Sequence, residues 1–395
     1  MSDSWRKRAA IALLVALAVA GGTGLTLGLD SVTVGTVTPP AKTVEEALEA
    51  IFKTRATALL RGDPEMLKGL YDATSLYGRW AFEHETRRIQ YVNVWAKARG
   101  LKLRDIRSAI GIRTVEPGEK KAWIFLVQTL SVAYSYTTDP REPVNRFGVG
   151  TRHTVELVYG DGNWLVRRDW FTDPLEEDAL VSDVAPAQAS EPEKAEQLLS
   201  GEKPKAFEPP QPVSGGWFDR KGAVAYANKY AGLALSTNHR YNPAYRDYTP
   251  VGGDCTNFIS QALADREGGR LPRDYTWNYV QSKTGIGAGS GVWVQASALA
   301  NHLLYSGHAR LIGRGTFGDL VQATANHPFG AIRELGEGDV IAYEEKGRIE
   351  HLAVVVGRDS RGYLLVNSHT ADRYRVPWDL GWDKKTVFWL LRISD

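Results

Sequence analysis

The chain has 395 residues, a net charge of +2 and one cysteine, Cys255, beside twelve tryptophans. Charge this evenly balanced, with no basic stripe and no zinc-finger or RNA-binding spacing, argues against a nucleic-acid partner. A single cysteine excludes an intrachain disulfide, so the core must hold without cross-links and the thiol needs another explanation.

At the N-terminus Trp5-Arg6-Lys7-Arg8 precedes an uncharged run from Ala9 to Leu29. Basic residues ahead of an apolar stretch make residues 1–30 an export signal, with Ala18-Val19-Ala20 as a cleavage site. The run also approaches the roughly twenty residues that span a bilayer, so an uncleaved membrane anchor is the second reading. Either places the remainder outside the cytoplasm, secreted or anchored at the cell surface, because positive flanks stay inside. Residues 31–42, rich in Thr, Val and Pro, form a tether.

Thr43-Val44-Glu45-Glu46 has the capping-box pattern of a helix start. Val44, Ala47, Leu48, Ile51, Phe52, Ala58 and Leu59 then recur at helical spacing until Gly62-Asp63-Pro64 stops them. Further helices are expected over 64–72 and 79–99. Strands follow at 123–132, 151–159 and 164–170, the last two joined by the tight turn Gly160-Asp161-Gly162-Asn163. Helices followed by an antiparallel meander define an α+β domain over 43–173. The order resembles that of NTF2-like (cystatin-like) cone domains, which implies a binding or positioning module; no catalytic set stands out here, and a spacer or dimerisation role is equally open, with the partner unknown. Prolines recurring through 174–216 mark a linker.

The second domain, 217–395, opens with a helix over about 219–236. A helix at Cys255, another around 293–305 and strands at 339–343, 351–356, 363–368 and 386–392 complete a helical half followed by a sheet half. In Gly252-Gly253-Asp254-Cys255-Thr256-Asn257-Phe258, the glycines permit a tight approach to the helix start and Asp254 suits the N-cap. Cys255 then sits at the positive end of the helix dipole, which favours thiolate. Cys255, Phe258, Ile259, Ala262 and Leu263 share one face, so the thiol points toward what the helix packs on, expected to be the sheet.

A thiol nucleophile needs a base and the base needs orienting. His351 opens a strand in which His351, Ala353 and Val355 alternate onto one face. If the following hairpin sets 353 opposite 367, Asn367 and His369 reach the same side, and either could hold the imidazole. Trp277, Trp293, Tyr275 and Tyr279 are core candidates rather than a groove lining.

The Gly253–Phe258 segment resembles the Gly-x-Cys-x-x-Phe nucleophile segment of papain-like cysteine peptidases, and His351 followed by Asn367-Ser368 resembles their His and Asn-Ser segments in the same order. More narrowly, Gly252–Leu263, Tyr241-Asn242, Gly338–Ile341 and Asn367–Asp372 resemble the bacterial putative amidase-domain family, relatives of the NlpC/P60 and CHAP cell-wall hydrolases. The resemblance covers about 217–395. It implies a papain-like α+β domain with the nucleophile helix packed on an antiparallel sheet. It also implies attack by Cys255 on an amide carbonyl, His351 as proton carrier, Asn367 (or else His369) as its support, and no metal or organic cofactor. Where papain-like peptidases place an oxyanion-hole glutamine, this chain has Thr249. The Cys255 N–H can supply one donor, while Asp254 and Asn257 serve as oxyanion or support residues and Tyr248 is a further candidate. The implied substrate class is peptidoglycan or another peptide. A zinc amidase lacks its His-Glu-x-x-His spacing, and Gly289-Ser290-Gly291 lacks the flanks of a serine elbow. A surface-anchored binding protein that has lost turnover, and a thiol-dependent acyl transferase or transpeptidase, are the alternatives.

Overall fold

The computed structural model describes residues 41–137, 141–160, 162–175, 217–282 and 285–395. The expected leader, most of the tether, turn residue Asp161 and the linker from 176 to 216 lie outside the described residues. Among the described residues no helix is long and apolar enough to cross a membrane.

The first domain opens with α1 (Ala41–Arg61), so Thr43 lies inside the helix and not at its cap. Instead of a helix over 64–72 there is a short 3-10 turn, Pro64–Leu67, capped by the Asp63 carboxylate on the Glu65 N–H. The next helix is α2 (Leu76–Ala98). Four antiparallel strands follow: β1 (Leu101–Pro117), β2 (Lys121–Tyr136), β3 (Asn145–Gly160) and β4 (Asn163–Trp170). Sequence reasoning missed β1 altogether. Its outer positions are charged, and a register shift between Leu103 and Asp105 breaks the two-residue period that would have marked it. Leu48, Phe52, Ile89, Trp95, Leu126 and Val155 form the core between helices and sheet.

The second domain begins with α3 (Arg220–Lys229) and a 3-10 turn, Gly232–Ala234, where one longer helix was expected. It continues with the Cys255 helix, α4 (Cys255–Ala264), the small ladder β5 (Tyr279–Val280) with β6 (Ala288–Gly289), α5 (Gly291–Val294) and α6 (Ala296–Tyr305). Then come β7 (Ala309–Gly315), α7 (Phe317–Val321), β8 (Val340–Glu345), β9 (Arg348–Arg358), β10 (Leu364–Ser368), β11 (Asp372–Pro377) and β12 (Val387–Ile393). One face of this sheet, through Leu352, Val354 and Val356, packs on Phe258, Ile259 and Trp293 from the helical side. The other, through Tyr343, Ala353 and Val355, packs on Phe317 and Trp378. Trp277, Trp293 and Tyr279 are buried as expected of core residues, whereas Tyr275 is 90% exposed.

The two domains share a single sheet of ten strands, ordered β1-β2-β3-β11-β10-β9-β8-β12-β7, with β4 also on β3. The free edge of β3 is divided: its C-terminal half pairs with β4, and Gly148–Gly150 pair with Asp372–Tyr374 of β11. The 3-10 turn at Gly232–Ala234 lies directly on this junction. A Cβ at Gly148 would collide with the Ala234 carbonyl oxygen, and one at Gly150 with Leu233. Asp372, fully buried, locks the junction by accepting from the Leu233 N–H at 2.7 Å and from the Tyr241 hydroxyl, with Arg152 of β3 at 3.6 Å. Gly148→Ala should therefore destabilise by about 1–3 kcal/mol, the usual cost of forcing atoms into a filled site. Urea unfolding read by fluorescence and by circular dichroism checks it, and both probes should report one shared transition.

Candidate functional site

Cys255 is the first residue of α4, so its backbone N–H has no partner within the helix. Gly252 and Gly253 sit at φ of +131° and +123°, a conformation that side-chain-bearing residues rarely adopt, which turns the chain abruptly into the helix. Asp254 occupies the N-cap position but makes no side-chain cap to the helix. Its carboxylate is spent outward: Oδ1 accepts from the Tyr248 N–H at 2.9 Å and Asn257 Nδ2 at 2.8 Å, and Oδ2 meets His369 Nδ1 at 2.6 Å. Asp254 thereby ties the Cys255 helix to the loop after β10, and the Thr370 hydroxyl accepts the Asp254 N–H to the same effect.

The structure brings Cys255 and His351 to the same cavity, of about 90 Å³, which Thr370, Trp382 and Glu345 also line. Their meeting place differs from the one the alternation suggested. His351 shares its face with Tyr343, Ala353 and Val355, the face turned away from α4, whereas Leu352 faces the helix. Both reach the cavity at a strand edge. β10 ends at Ser368, so β9 has no neighbour on that side from Leu352 toward its start. There the Thr256 hydroxyl lies 3.7 Å from the Cys255 sulfur.

Asn367 is not brought to His351. The ladder runs 364 opposite 358 and 365 opposite 357, but 366 opposite 355 and 367 opposite 354: Val356 is an extra residue on β9. This one-residue shift sends Asn367 to the other face. There its amide donates to the Ala227 carbonyl and to Asn228 Oδ1, each at 3.0 Å, and accepts from the Arg375 N–H at 2.7 Å. His369 is likewise engaged elsewhere, between Asp254 and the Tyr230 carbonyl, and stacked between Tyr241 and Phe258. Asn257 is also committed: Nδ2 donates to the Arg246 carbonyl and to Asp254, and Oδ1 accepts from Trp293 Nε1 at 2.8 Å. Tyr248 uses its hydroxyl to accept from the Gly289 N–H. Asn257 is therefore built into the scaffold, and neither it nor Tyr248 is among the residues that line the cavity.

The electrostatics correct a second expectation. Burial pushes the Cys255 thiol up from its ordinary value, outweighing the hydrogen bonds from Thr256 and Leu352. Burial, with Arg373 nearby, pushes His351 down to about 3. The helix dipole does not win because the thiol is walled in and the Asp254 carboxylate adjoins it. At neutral pH the resting pair is thus thiol and neutral imidazole, and His351 Nε2 is buried with no hydrogen-bond partner.

The first domain supplies one wall of the cavity, Thr172 to Pro174. Arg88 and His84 grip the Asp173 carboxylate at 3.0 and 3.1 Å; burial alone would raise its pKa, but these partners hold it below the usual carboxylate range. Arg373 donates to the Pro174 and Leu380 carbonyls, joining the two walls. Trp382, which no sequence signal singled out, also belongs to the site: its ring lies 5.6 Å from that of His351. Among the described residues no group of three His, Cys, Asp or Glu side chains could hold a metal ion.

A family model described as "Putative amidase domain" matches residues 218–391. Two proteins of Bacillus subtilis strain 168 are similar to this chain. The uncharacterized protein YhbB is 30% identical over 163 residues, covering 41% of this chain and 44% of that protein. The uncharacterized protein YjcM is 28% identical over 164 residues, covering 39% and 31%. The matched segment thus spans less than half the length of either relative. Among solved structures, the intermembrane space region of the chloroplast protein ARC6 matches at 17% identity and a TM-score of 0.25, over 33% of this chain and 95% of that one. A "putative dehydratase from the NTF2-like family" of Streptomyces avermitilis matches at 12% identity and a TM-score of 0.25, over 33% and 93%. The match over residues 218–391 suggests hydrolase activity for the second domain.

Alkylation of Cys255 by iodoacetamide follows its thiolate fraction. The rate should be low at pH 7 and still climbing above pH 9; a plateau near neutrality would instead reveal a preformed thiolate–imidazolium pair.

Proposed function

We propose that the protein is a thiol-dependent amide hydrolase in which Cys255 is the nucleophile and His351 the proton carrier. The observation that carries the reading is the unpartnered Nε2 of His351 in the cavity that Cys255 lines. The amidase-type match over the same domain adds to it. Because both groups rest neutral, His351 takes the thiol proton as sulfur attacks the carbonyl carbon, not beforehand. The imidazolium then gives that proton to the departing amine, and water releases the acyl group by the reverse sequence.

The cavity is much smaller than the roughly 300–1,000 Å³ of ordinary small-molecule pockets. It accommodates a reacting carbonyl and its neighbours while the rest of the substrate lies outside, as suits a peptide or a polymer-borne peptide. Together with an exported location, signalled by the basic-then-apolar N-terminus, this favours peptidoglycan peptides at the cell surface, the protein being either secreted or held by its N-terminal segment. The test is to incubate the full chain, wild type, Cys255→Ser and His351→Ala, with purified peptidoglycan and identify the released fragments by mass. Wild type should release new amine termini. Each variant should lose at least about 10²-fold in rate, the scale of a missing nucleophile or general base. Cleavage that survives Cys255→Ser would refute the mechanism.

A further inference from the structure

Sequence reasoning left the second donor for the substrate oxygen unassigned, and the residues considered for it do not line the cavity. We propose that the indole N–H of Trp382 is that donor, and that Tyr91 of the first domain sets its position. The inference rests on the thiol-hydrolase reading of Cys255 and His351.

Trp382 lines the cavity with both of those residues. Its Nε1 is buried and has no hydrogen-bond partner. A buried donor left unpaired costs roughly 1–3 kcal/mol, so such a group calls for a reason, and a bound acceptor supplies one. The ring cannot swing easily toward another acceptor, being stacked on Tyr343 at 4.3 Å and 17° with the Arg373 guanidinium 5.4 Å from its centroid. The backbone is fixed too. The Tyr91 hydroxyl, fully buried, donates to the Trp382 carbonyl at 2.9 Å and accepts from the Gly381 and Trp382 N–H groups at 2.8 and 3.0 Å. Nearby, Asp379 accepts from Trp95 Nε1 of the same helix, from Arg99 Nε at its C-cap and from the Tyr363 hydroxyl.

A donor fixed in advance is what stabilises developing charge, because nothing need reorganise as the bond forms. When Cys255 Sγ bonds to the carbonyl carbon, the π pair moves to oxygen. That oxyanion accepts from the Cys255 backbone N–H and from the Trp382 indole. The pair returns to re-form the carbonyl as the C–N bond breaks, and the amine leaves with the proton carried by His351. Tyr91 of α2 thus contributes to the reaction without itself touching the substrate.

The test uses the full chain and soluble muropeptides released from purified cell wall. Trp382→Phe keeps a ring on Tyr343 and removes the N–H. It should lower kcat by about 10²–10³-fold with KM little changed, the usual loss for one oxyanion donor. Iodoacetamide alkylation of Cys255 above pH 9, which forms no oxyanion, should keep its wild-type rate. Tyr91→Phe, folded by circular dichroism, should show a smaller loss of the same kind: kcat down, alkylation unchanged. Wild-type kcat in Trp382→Phe overturns the inference while leaving the thiol mechanism in place. Wild-type turnover that does not depend on Cys255 overturns the mechanism and this inference with it.

Discussion

The structure depends on one shared edge. β3 is longer than β4 can cover, and three of the residues left over, Gly148 to Gly150, take β11 of the second domain as their neighbour. Backbone hydrogen bonding makes the edge adhesive, and the two glycines let the Gly232–Ala234 turn settle on it. Asp372, buried beneath, converts the junction into a polar lock through Leu233, Tyr241 and Arg152. What reads in sequence as two domains separated by a proline-rich stretch is, in its described parts, one sheet with one set of constraints.

That constraint fixes the site. β10 stops at Ser368 and the chain turns through Thr370 and Ala371, both at positive φ, before entering the junction as β11. The turn uncovers the start of β9, and the gap becomes the cavity that Cys255 and His351 both line. The first domain closes the far side through Asp173, Pro174 and the Tyr91 grip on Trp382. Separating the domains would therefore remove a wall, not merely a companion.

Much of this was legible in the residues. Gly252-Gly253 ahead of Cys255 marks a sharp entry into a helix, and His351 lies in a strand that packs into the core, although that strand begins at Arg348 rather than at the histidine. The helix-then-meander order of the first domain was visible as well. The misses have physical causes. β1 hides behind a bulge and a charged outer face. Asn367 was placed by counting residues around a hairpin, and counting cannot see the extra Val356. The thiol was expected to ionise because helix position is visible in sequence, while the burial that outweighs it is tertiary. Trp382 and Tyr91 lie 291 positions apart, and no local pattern links them.

The neutral, enclosed state of Cys255 bears on its durability. Peroxide attacks thiolates that solvent can reach, carrying them to sulfenic and then to irreversible sulfinic acid. A sulfur kept protonated at rest, in a cavity walled from both domains, offers that chemistry little thiolate and little access, so a lone cysteine can persist here without a second thiol beside it.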